Sequence, residues 1–182
     1  QVAFPVQLMS ALGANRLIVS NAAGGVNPKL RVGDILVIRD HINLMGGRFD
    51  GASHTPAGSL MRRGEVFDTA MSKLAMRIAV EKDFNAYEGT YLATLGPTYE
   101  TRSEYRMMRK IGADVAGMST VPEVLTAANV KMRVLGLSMV SNVANPDQAS
   151  TTDHAEVLEA GRAAEVKMEA IVRGVLGQRG LP

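Results

Sequence analysis

Short, continuously apolar segments alternate with stretches of helical spacing along the whole chain, and this alternation constrains the fold more than any other feature. The apolar segments lie at 16–21, 34–38, 87–95, 114–118 and 132–140, and each has the length of a strand. The helical stretches lie at 5–12, 67–80, 101–112, from 120 onward and at 153–176. Strands that are apolar on both faces belong to a sheet covered by helices. We therefore predict an α/β fold with a mixed, largely parallel sheet flanked by helices in three layers, as one domain over residues 1–182.

Local motifs place the ends of several of these elements. Residues 101–104 and 120–123 each carry the Thr-x-x-Glu pattern of a capping box, in which a hydroxyl and a carboxylate each accept a backbone N–H at a helix start. Residues 22–25 (AAGG) predict a glycine turn at the end of the first strand. The segment 45–66 carries five glycines without clean periodicity, and we expect it to be a long surface loop.

Composition excludes several classes of protein. Lys+Arg 20 against Asp+Glu 18 gives a net charge of +2, and the 4% of aromatic residues include no Trp, so no nucleic-acid surface is indicated. The absence of cysteine excludes disulfides and thiolate nucleophiles, and it fits a reducing compartment such as the cytoplasm. His41, His54 and His154 are too far apart for a local metal motif. No apolar run approaches the about 20 residues of a membrane span. The composition therefore predicts neither a local metal motif nor a membrane segment.

Small or polar residues follow four of the predicted strands, at 20–25, 96–100, 117–120 and 141–142. Each segment has an ordinary structural explanation. Glycines form turns, a serine before a helix caps it, an acidic residue favours a helix N-terminus, and asparagine is a common turn residue. In open α/β sheets, however, ligands bind beyond the carboxyl ends of the strands. All four segments fall at that edge, which is where we predict a ligand site.

The residue types at this edge match two kinds of ligand group. Ser119 lies between a strand and a helix N-terminus, so its hydroxyl and the nearby amides can face a phosphate. The small residues after Asn21 allow a second backbone segment to approach the same charge. Glu100 offers a carboxylate acceptor and Asn142 an amide, and together they can bind the N1–H and the O6/N7 edge of a 6-oxopurine. The chain has neither a P-loop nor a dinucleotide fingerprint.

A serine hydrolase is the rival interpretation of the same region. Ser119, Asp147 and His154 follow one another in the order of a hydrolase triad. The nucleophile elbow of that class needs glycine two positions after the serine, and Val121 stands there, followed by Pro122. We therefore expect no strained elbow at this strand end and favour phosphate binding.

Taken together, these motifs resemble the trimeric purine nucleoside phosphorylase family. The resemblance covers nearly the whole chain except 45–66, and its most specific signature is residues 112–123 (GADVAGMSTVPE). The other matching segments are 21–28 (NAAGGVNP), 33–35, 39–43 (RDHIN), 96–101 (GPTYET), 141–142 (SN) and 154–158 (HAEVL).

The resemblance implies reversible phosphorolysis, in which a purine (deoxy)ribonucleoside and phosphate give the free base and (deoxy)ribose 1-phosphate. It implies a nucleoside phosphorylase-like fold, a homotrimer, and no metal or organic cofactor, since phosphate is a co-substrate. The residues whose roles it implies fall into three groups. They are Ser119, Ala22 and Asn21 for phosphate; Glu100, Asn142 and Tyr99 for the purine; and Tyr91, Met118 and His154 for the ribose. Glu100, Asn142 and His154 are the implied catalytic residues.

Asn142 is also implied to stabilise charge developing at N7 of the leaving base. His154 lies in the first turn of the last predicted helix, where the helix dipole favours a neutral imidazole. The implied mechanism is dissociative, so catalysis would consist mostly of electrostatic stabilisation of the leaving base and the ribosyl cation.

Two departures from the family pattern limit what the resemblance assigns. The family's glycine-serine phosphate loop and Gly-Arg-x-His segment have no counterpart here, so we expect a chain that lacks the N-terminal third of a typical member and has little activity of its own. The segment 45–66 does not match the family's Arg-Phe-Gly-Pro-Arg-Phe-Pro sequence, which leaves the aromatic residue from the neighbouring subunit unassigned, with Phe49 as a guess. A methylthioadenosine phosphorylase, which needs a carboxylate at Asn142, and a non-catalytic purine-binding remnant stay open as alternatives.

Overall fold

The computed structural model describes residues 2–46, 65–145, 147 and 154–178. Within these ranges the chain forms five strands and five helices, and β1 and β2 follow each other without a helix between them. The strands are β1 (Arg16–Gly25), β2 (Ile35–Asn43), β3 (Ala86–Ala93), β4 (Val115–Gly117) and β5 (Arg133–Val143). The helices are α1 (Ala3–Ala11), α2 (Thr69–Glu81), α3 (Arg102–Lys110), α4 (Val121–Asn129) and α5 (His154–Gly177). Most of the predicted loop 45–66, including Phe49 and His54, lies outside the described residues.

The strands form one mixed sheet in the order β1-β4-β3-β2-β5, which closes into a barrel. The pairs β1–β5, β2–β3 and β3–β4 are parallel, whereas β1–β4 and β2–β5 are antiparallel. The predicted α/β fold with a mixed sheet and helices is confirmed. The prediction of a largely parallel, layered sheet is only partly met, because it did not include closure.

Closure occurs because β1 continues where a turn was predicted. Residues 22–25 belong to the strand, and Gly24 and Gly25 pair with Ala116 and Val115 of β4. A Cβ on Gly25 would lie 3.1 Å from Cγ1 of Val140, closer than side chains normally pack. Glycine at this position therefore allows the two strands to lie close together. The interpretation of 22–25 as a turn was wrong.

Both faces of the central strands are buried, as the continuously apolar segments predict. Leu36 and Ile38 of β2 pack in one cluster with Val6 of α1 and Val124 of α4. The alternate residues of β2 and β5 pack in a second cluster with side chains of α2 and α5. Its members include Ile35, Val37, Leu135, Leu137, Met71, Ile78, Ile171 and Val175. Because successive side chains of a strand point to opposite faces, two covering layers require an unbroken apolar run.

One of the two predicted capping boxes is present. At α3, Thr101 Oγ1 accepts from Glu104 N at 3.3 Å and Glu104 Oε2 accepts from Thr101 N at 2.6 Å. At α4 the prediction was wrong, because Thr120 has φ 74° and its side chain makes no capping hydrogen bond. Asp68, which we did not predict as a cap, accepts from Met71 N at 2.8 Å at the start of α2.

Candidate active site

A cavity of about 230 Å³ lies where β1, β4 and β5 approach the start of α3. Six of the residues predicted from the sequence line it together. They are Ala22, Tyr99, Glu100, Met118, Ser119 and Asn142. The prediction of a common site at these strand ends therefore agrees with the geometry, although the individual roles of the residues stay predictions.

The three other predicted site residues are placed differently. Asn21 lines a separate groove along α5. Tyr91 is fully buried in the core and does not line the cavity. The backbone of α5 begins at His154, and the side chain of that residue is outside the described part of the chain. The ribose-binding roles of Tyr91 and His154 stay predictions.

Ser119 reaches the cavity through a tight turn between β4 and α4. Val121 N donates to Ser119 O at 2.8 Å, and Thr120 between them has φ 74° and ψ −47°, which is the geometry of a γ-turn. A positive φ is costly for a β-branched residue. We expected no strained elbow at Ser119, and Ser119 is not among the described residues with a positive φ. The strain lies at Thr120, one residue after the serine.

A chain of side-chain hydrogen bonds ends at Ser119. Asn21 Nδ2 donates to Thr120 Oγ1 at 2.8 Å, and Thr120 Oγ1 lies 3.1 Å from Ser119 Oγ. When Thr120 donates to Ser119 along this chain, the Ser119 proton is free to donate into the cavity. Asn21 does not line the cavity, and it is connected to the predicted phosphate site only indirectly, through its hydrogen bond to Thr120.

Tyr91 supports the same turn from the core of the protein. Its hydroxyl accepts from Ser119 N at 3.3 Å, and a Cβ on Gly117 would overlap that hydroxyl. Burial raises the pKa of Tyr91 above its usual range, so the phenol stays neutral. The turn that carries Ser119 therefore rests on an uncharged, buried hydroxyl.

Glu100 is held by two hydroxyl donors that the sequence analysis did not assign. Thr94 Oγ1 donates to Glu100 Oε1 at 3.2 Å, and Tyr105 Oη donates to Glu100 Oε2 at 3.2 Å. The sequence pattern gave Tyr105 no role at the site. The signal that could have identified it is its position one turn into the helix that Glu100 precedes.

Asn142 has a fixed neighbour as well. Ser141 Oγ donates to Asn142 Oδ1 at 2.9 Å and lies 3.2 Å from Ala23 O. The amide lies over Gly24, where a Cβ would be 3.4 Å from Asn142 Oδ1 and 3.6 Å from Tyr105 Oη. A glycine in β1 thus leaves the space in which the amide and the phenol meet.

The hydrolase interpretation finds no support in the position of Asp147. Its carboxylate accepts from Arg106 Nη2 at 2.8 Å, and its side chain is 76% exposed. The acid of a hydrolase triad is buried against its histidine. Ser119 is therefore better understood as a hydrogen-bond donor than as a nucleophile.

Fold and site together define an α/β protein with a small polar cavity at its strand ends, the usual place for a small-molecule ligand in this class. A family model described as the phosphorylase superfamily matches residues 1–177. The chain belongs to this family. None of the described helices is both long enough and apolar enough to cross a membrane.

Individual relatives agree with this assignment. The chain is 45% identical to a purine nucleoside phosphorylase of Rattus norvegicus over 94% of its own length and 63% of the relative's. It is 41% identical to purine nucleoside phosphorylase 1 of Bacillus subtilis, over 98% and 66%. A Schistosoma mansoni purine nucleoside phosphorylase solved with inosine superposes with a TM-score of 0.87 at 33% identity, covering 99% of this chain and 67% of that one. The chain thus spans less than two thirds of the rat and Bacillus relatives.

Proposed function

We propose that this chain carries the base-binding and part of the phosphate-binding machinery of an enzyme that catalyses reversible phosphorolysis of purine nucleosides. The observation that carries the proposal is the set of side chains that line the cavity of about 230 Å³. Ser119, a hydroxyl donor, lies in the same small space as the Glu100 carboxylate and the Asn142 amide. For this reaction the phosphate and the purine must be bound at the same time, on opposite sides of the sugar carbon C1′.

Each proposed role follows from the chemistry of the side chain. Glu100 accepts from N1–H of a 6-oxopurine, and Asn142 donates toward N7 and O6. Tyr99, half of whose surface is exposed at the rim, packs against the ring. Ser119 and the backbone at Ala22 bind phosphate, with Asn21 acting through Thr120. The remaining proposed group, for the ribose, is Met118, Tyr91 and His154.

The proposed reaction exchanges one bond for another at the sugar. A phosphate oxygen bonds to C1′ as the C1′–N9 bond breaks, and the electron pair of that bond passes to the purine. The resulting negative charge extends to N7 and O6, where the Asn142 N–H donates. Preorganised donors of this kind stabilise the leaving group more in the transition state than in the ground state. The chain's own residues supply this stabilisation, and the proposal includes no metal or organic cofactor.

The solved relatives support the ligand class. Structures of Schistosoma purine nucleoside phosphorylase have been solved with hypoxanthine, inosine and guanosine, and also with adenosine. The preference for 6-oxopurines that we propose here rests on the pairing of a carboxylate with an amide in this chain.

We also propose a homotrimer, which the family resemblance implies, and a cytoplasmic location, which the absence of cysteine fits. Leu95 and Tyr99 near the cavity are 65% and 50% exposed, so the rim leaves apolar surface that a neighbouring subunit can cover. Size-exclusion chromatography with light scattering measures the state directly, and a monomer at all concentrations contradicts the trimer.

Release of hypoxanthine and ribose 1-phosphate from inosine tests the proposed reaction. Turnover must require phosphate, because hydrolysis would release ribose without it. Glu100→Gln is expected to abolish most of the activity, whereas Glu88→Gln, at an exposed position of β3, is the matched control. The expectation that the 182-residue chain has little activity of its own is measured in the same assay. Consumption of inosine independent of phosphate contradicts the proposal.

A further inference from the structure

We propose that Thr94 and Tyr105 are positioning residues that hold the Glu100 carboxylate between two hydroxyls and so determine the enzyme's preference for purines with an N1–H group. This inference rests on the proposed function and adds to it the residues that control base specificity. Thr94 Oγ1 and Tyr105 Oη each lie 3.2 Å from a different oxygen of Glu100.

Glu100 needs such support because of its place in the chain. β3 ends at Ala93 and α3 begins at Arg102, so Glu100 lies in neither element. Its backbone is therefore not held by the hydrogen bonds of a helix or a strand. Thr94 approaches from the end of β3, and Tyr105 approaches from the first turns of α3. A carboxylate held at both oxygens keeps its remaining acceptor positions in one orientation.

Tyr105 is itself well anchored. It packs against the buried cluster formed by Val26, Leu92, Met108, Ala113 and Ala116. The Tyr105 pKa is raised to about 12, first by burial and then by the neighbouring Glu100 charge, while a hydrogen bond with the Asn142 side chain acts in the opposite direction. The phenol is therefore protonated throughout the neutral range, and it remains a donor to Glu100.

The contact between Tyr105 and Asn142 links the two base-recognition groups. Because Ser141 Oγ donates to Asn142 Oδ1 at 2.9 Å, the Nδ2 end of the amide is the end available to the phenol and to a ligand. The hydroxyl thus separates an acceptor group, Glu100, from a donor group, Asn142. This polarity matches a 6-oxopurine, which donates at N1 and accepts at O6 and N7.

Two conservative substitutions remove the hydroxyls and little else. Tyr105→Phe and Thr94→Val are each expected to lower kcat/KM for inosine about tenfold, the effect of one hydrogen bond to a charged group, chiefly through a higher KM. Purine riboside lacks both N1–H and O6 and makes no hydrogen bond with Glu100. Its kcat/KM is therefore expected to change less than about twofold in Thr94→Val. In Tyr105→Phe its loss is expected to be smaller than that of inosine, because Tyr105 also contacts Asn142. Tyr87→Phe, at an exposed tyrosine of β3, is the matched control.

The ratio of kcat/KM for inosine to kcat/KM for purine riboside is the decisive readout. A fall of this ratio in both variants, with a thermal unfolding midpoint near that of the wild type, supports the positioning role. A ratio that stays unchanged overturns it. When both kcat/KM values fall equally, the role of the hydroxyl is structural, and when neither falls, the hydroxyl has no role. These rates are measured on the complete enzyme that the proposed function describes. If that enzyme releases base from neither nucleoside, the proposed function falls together with this inference, whereas an active enzyme with unaffected variants removes only the inference.

Discussion

The side chain of Asn142 is oriented by the residue before it. Ser141 Oγ donates to Asn142 Oδ1, so substitution by Asp keeps this contact and replaces the Nδ2 donor with a second acceptor oxygen. That oxygen accepts from a 6-amino group and repels O6. We predict that Asn142→Asp lowers the ratio of kcat/KM for inosine to kcat/KM for adenosine about tenfold or more, because a mismatched buried polar contact costs about 1–3 kcal/mol.

Steady-state kinetics with both nucleosides measures this change. Asn145→Asp introduces the same chemical change at an exposed position and is expected to leave the ratio as it was. An inosine/adenosine ratio that stays constant in Asn142→Asp refutes the assignment of Asn142 to the base.

Ser119 gives a second prediction at this scale. Its proton is free to donate into the cavity when Thr120 donates to its oxygen. Ser119→Ala is therefore expected to raise the KM for phosphate about tenfold, the effect of one charge-assisted hydrogen bond, with a smaller change in the KM for inosine.

Two observations control the Ser119 prediction. Ser103→Ala, at an exposed position of α3, is expected to behave as the wild type in phosphate titrations. The wild-type protein is expected to be inert to fluorophosphonate probes, and covalent labelling at Ser119 would restore the hydrolase interpretation.

Among the elements, α2 depends on one carboxylate in particular. Asp68 caps the helix at Met71 N and forms a two-pronged ion pair with Arg133 of β5, at 2.5 Å from Nε and 2.9 Å from Nη2. Asp68→Ala removes both interactions and is expected to lower the free energy of unfolding by about 2–3 kcal/mol. Asp68→Asn keeps a good cap and is expected to cost about 1–2 kcal/mol.

The same pair makes the stability depend on pH. The hydrogen bond from Arg133 holds the pKa of Asp68 below its ordinary value of 3.8, with burial acting in the opposite direction. A lowered folded-state pKa stabilises the protein above the unfolded-state pKa, and this stabilisation is lost as the pH falls through the lowered value.

Urea unfolding between about pH 7 and pH 2 checks the prediction for Asp68. The stability difference between wild type and Asp68→Asn is expected to be full at neutral pH and to shrink below about pH 4. Glu169→Ala breaks an exposed ion pair with Arg173 and is expected to cost less than about 0.5 kcal/mol. A difference that is constant across this pH range contradicts the role assigned to the charge.

At the element scale the sequence was informative wherever local chemistry decides the outcome. The apolar runs identified all five described strands, and Thr101 with Glu104 identified the start of α3. Thr120 with Glu123 has the same spacing but forms no box, because contacts with Asn21 and Ser119 draw Thr120 into the site. Competition from distant residues is not visible in a local pattern. Asp68 was missed for a different reason: the helix was predicted to begin at residue 67, whereas Asp68 caps a helix that begins at Thr69.

For the whole molecule, closure of the barrel depends on Asp114. Its carboxylate accepts from Asn27 Nδ2 and Thr90 N, each at 2.8 Å, and its carbonyl accepts from Val26 N and Asn27 N. Asp114 thus joins the end of β1 to β3 and β4. Asp114→Ala is expected to lower the free energy of unfolding by about 2–3 kcal/mol, since two partly buried donors, Asn27 Nδ2 and Thr90 N, lose a charged acceptor.

Chemical denaturation checks this prediction, with Glu88→Ala as a control at an exposed position of β3. The control is expected to change the free energy of unfolding by less than about 0.5 kcal/mol. Equal effects of the two substitutions would mean that Asp114 has no special part in closing the sheet.

The closure of the sheet into a barrel could not be predicted from the sequence. β1 and β4 share two register positions, and both β1 residues are glycines, which are more typical of turns than of strand pairing. The cavity was predicted more fully, because six of its lining residues stand beside strand ends. Thr94, Tyr105 and Ser141 were not assigned roles, since their contribution lies in contacts with Glu100 and Asn142 rather than in any motif of their own.

The parallel pairing of β1 with β5 has a consequence for how the protein reaches its native state. Ala23 and Ser141, neighbours in the cavity wall, are 118 positions apart in the chain, and Asn21 and Thr120 are 99 apart. Bringing such distant segments together costs loop-closure entropy before their contacts contribute free energy. Folds with many contacts of this kind fold slowly. Because the cavity wall joins such distant segments, we expect a ligand that fits the cavity to bind the folded state and not the unfolded one. At about a hundred times its Kd such a ligand adds about 2.7 kcal/mol to the free energy of unfolding, so occupancy protects segments that the ligand never touches.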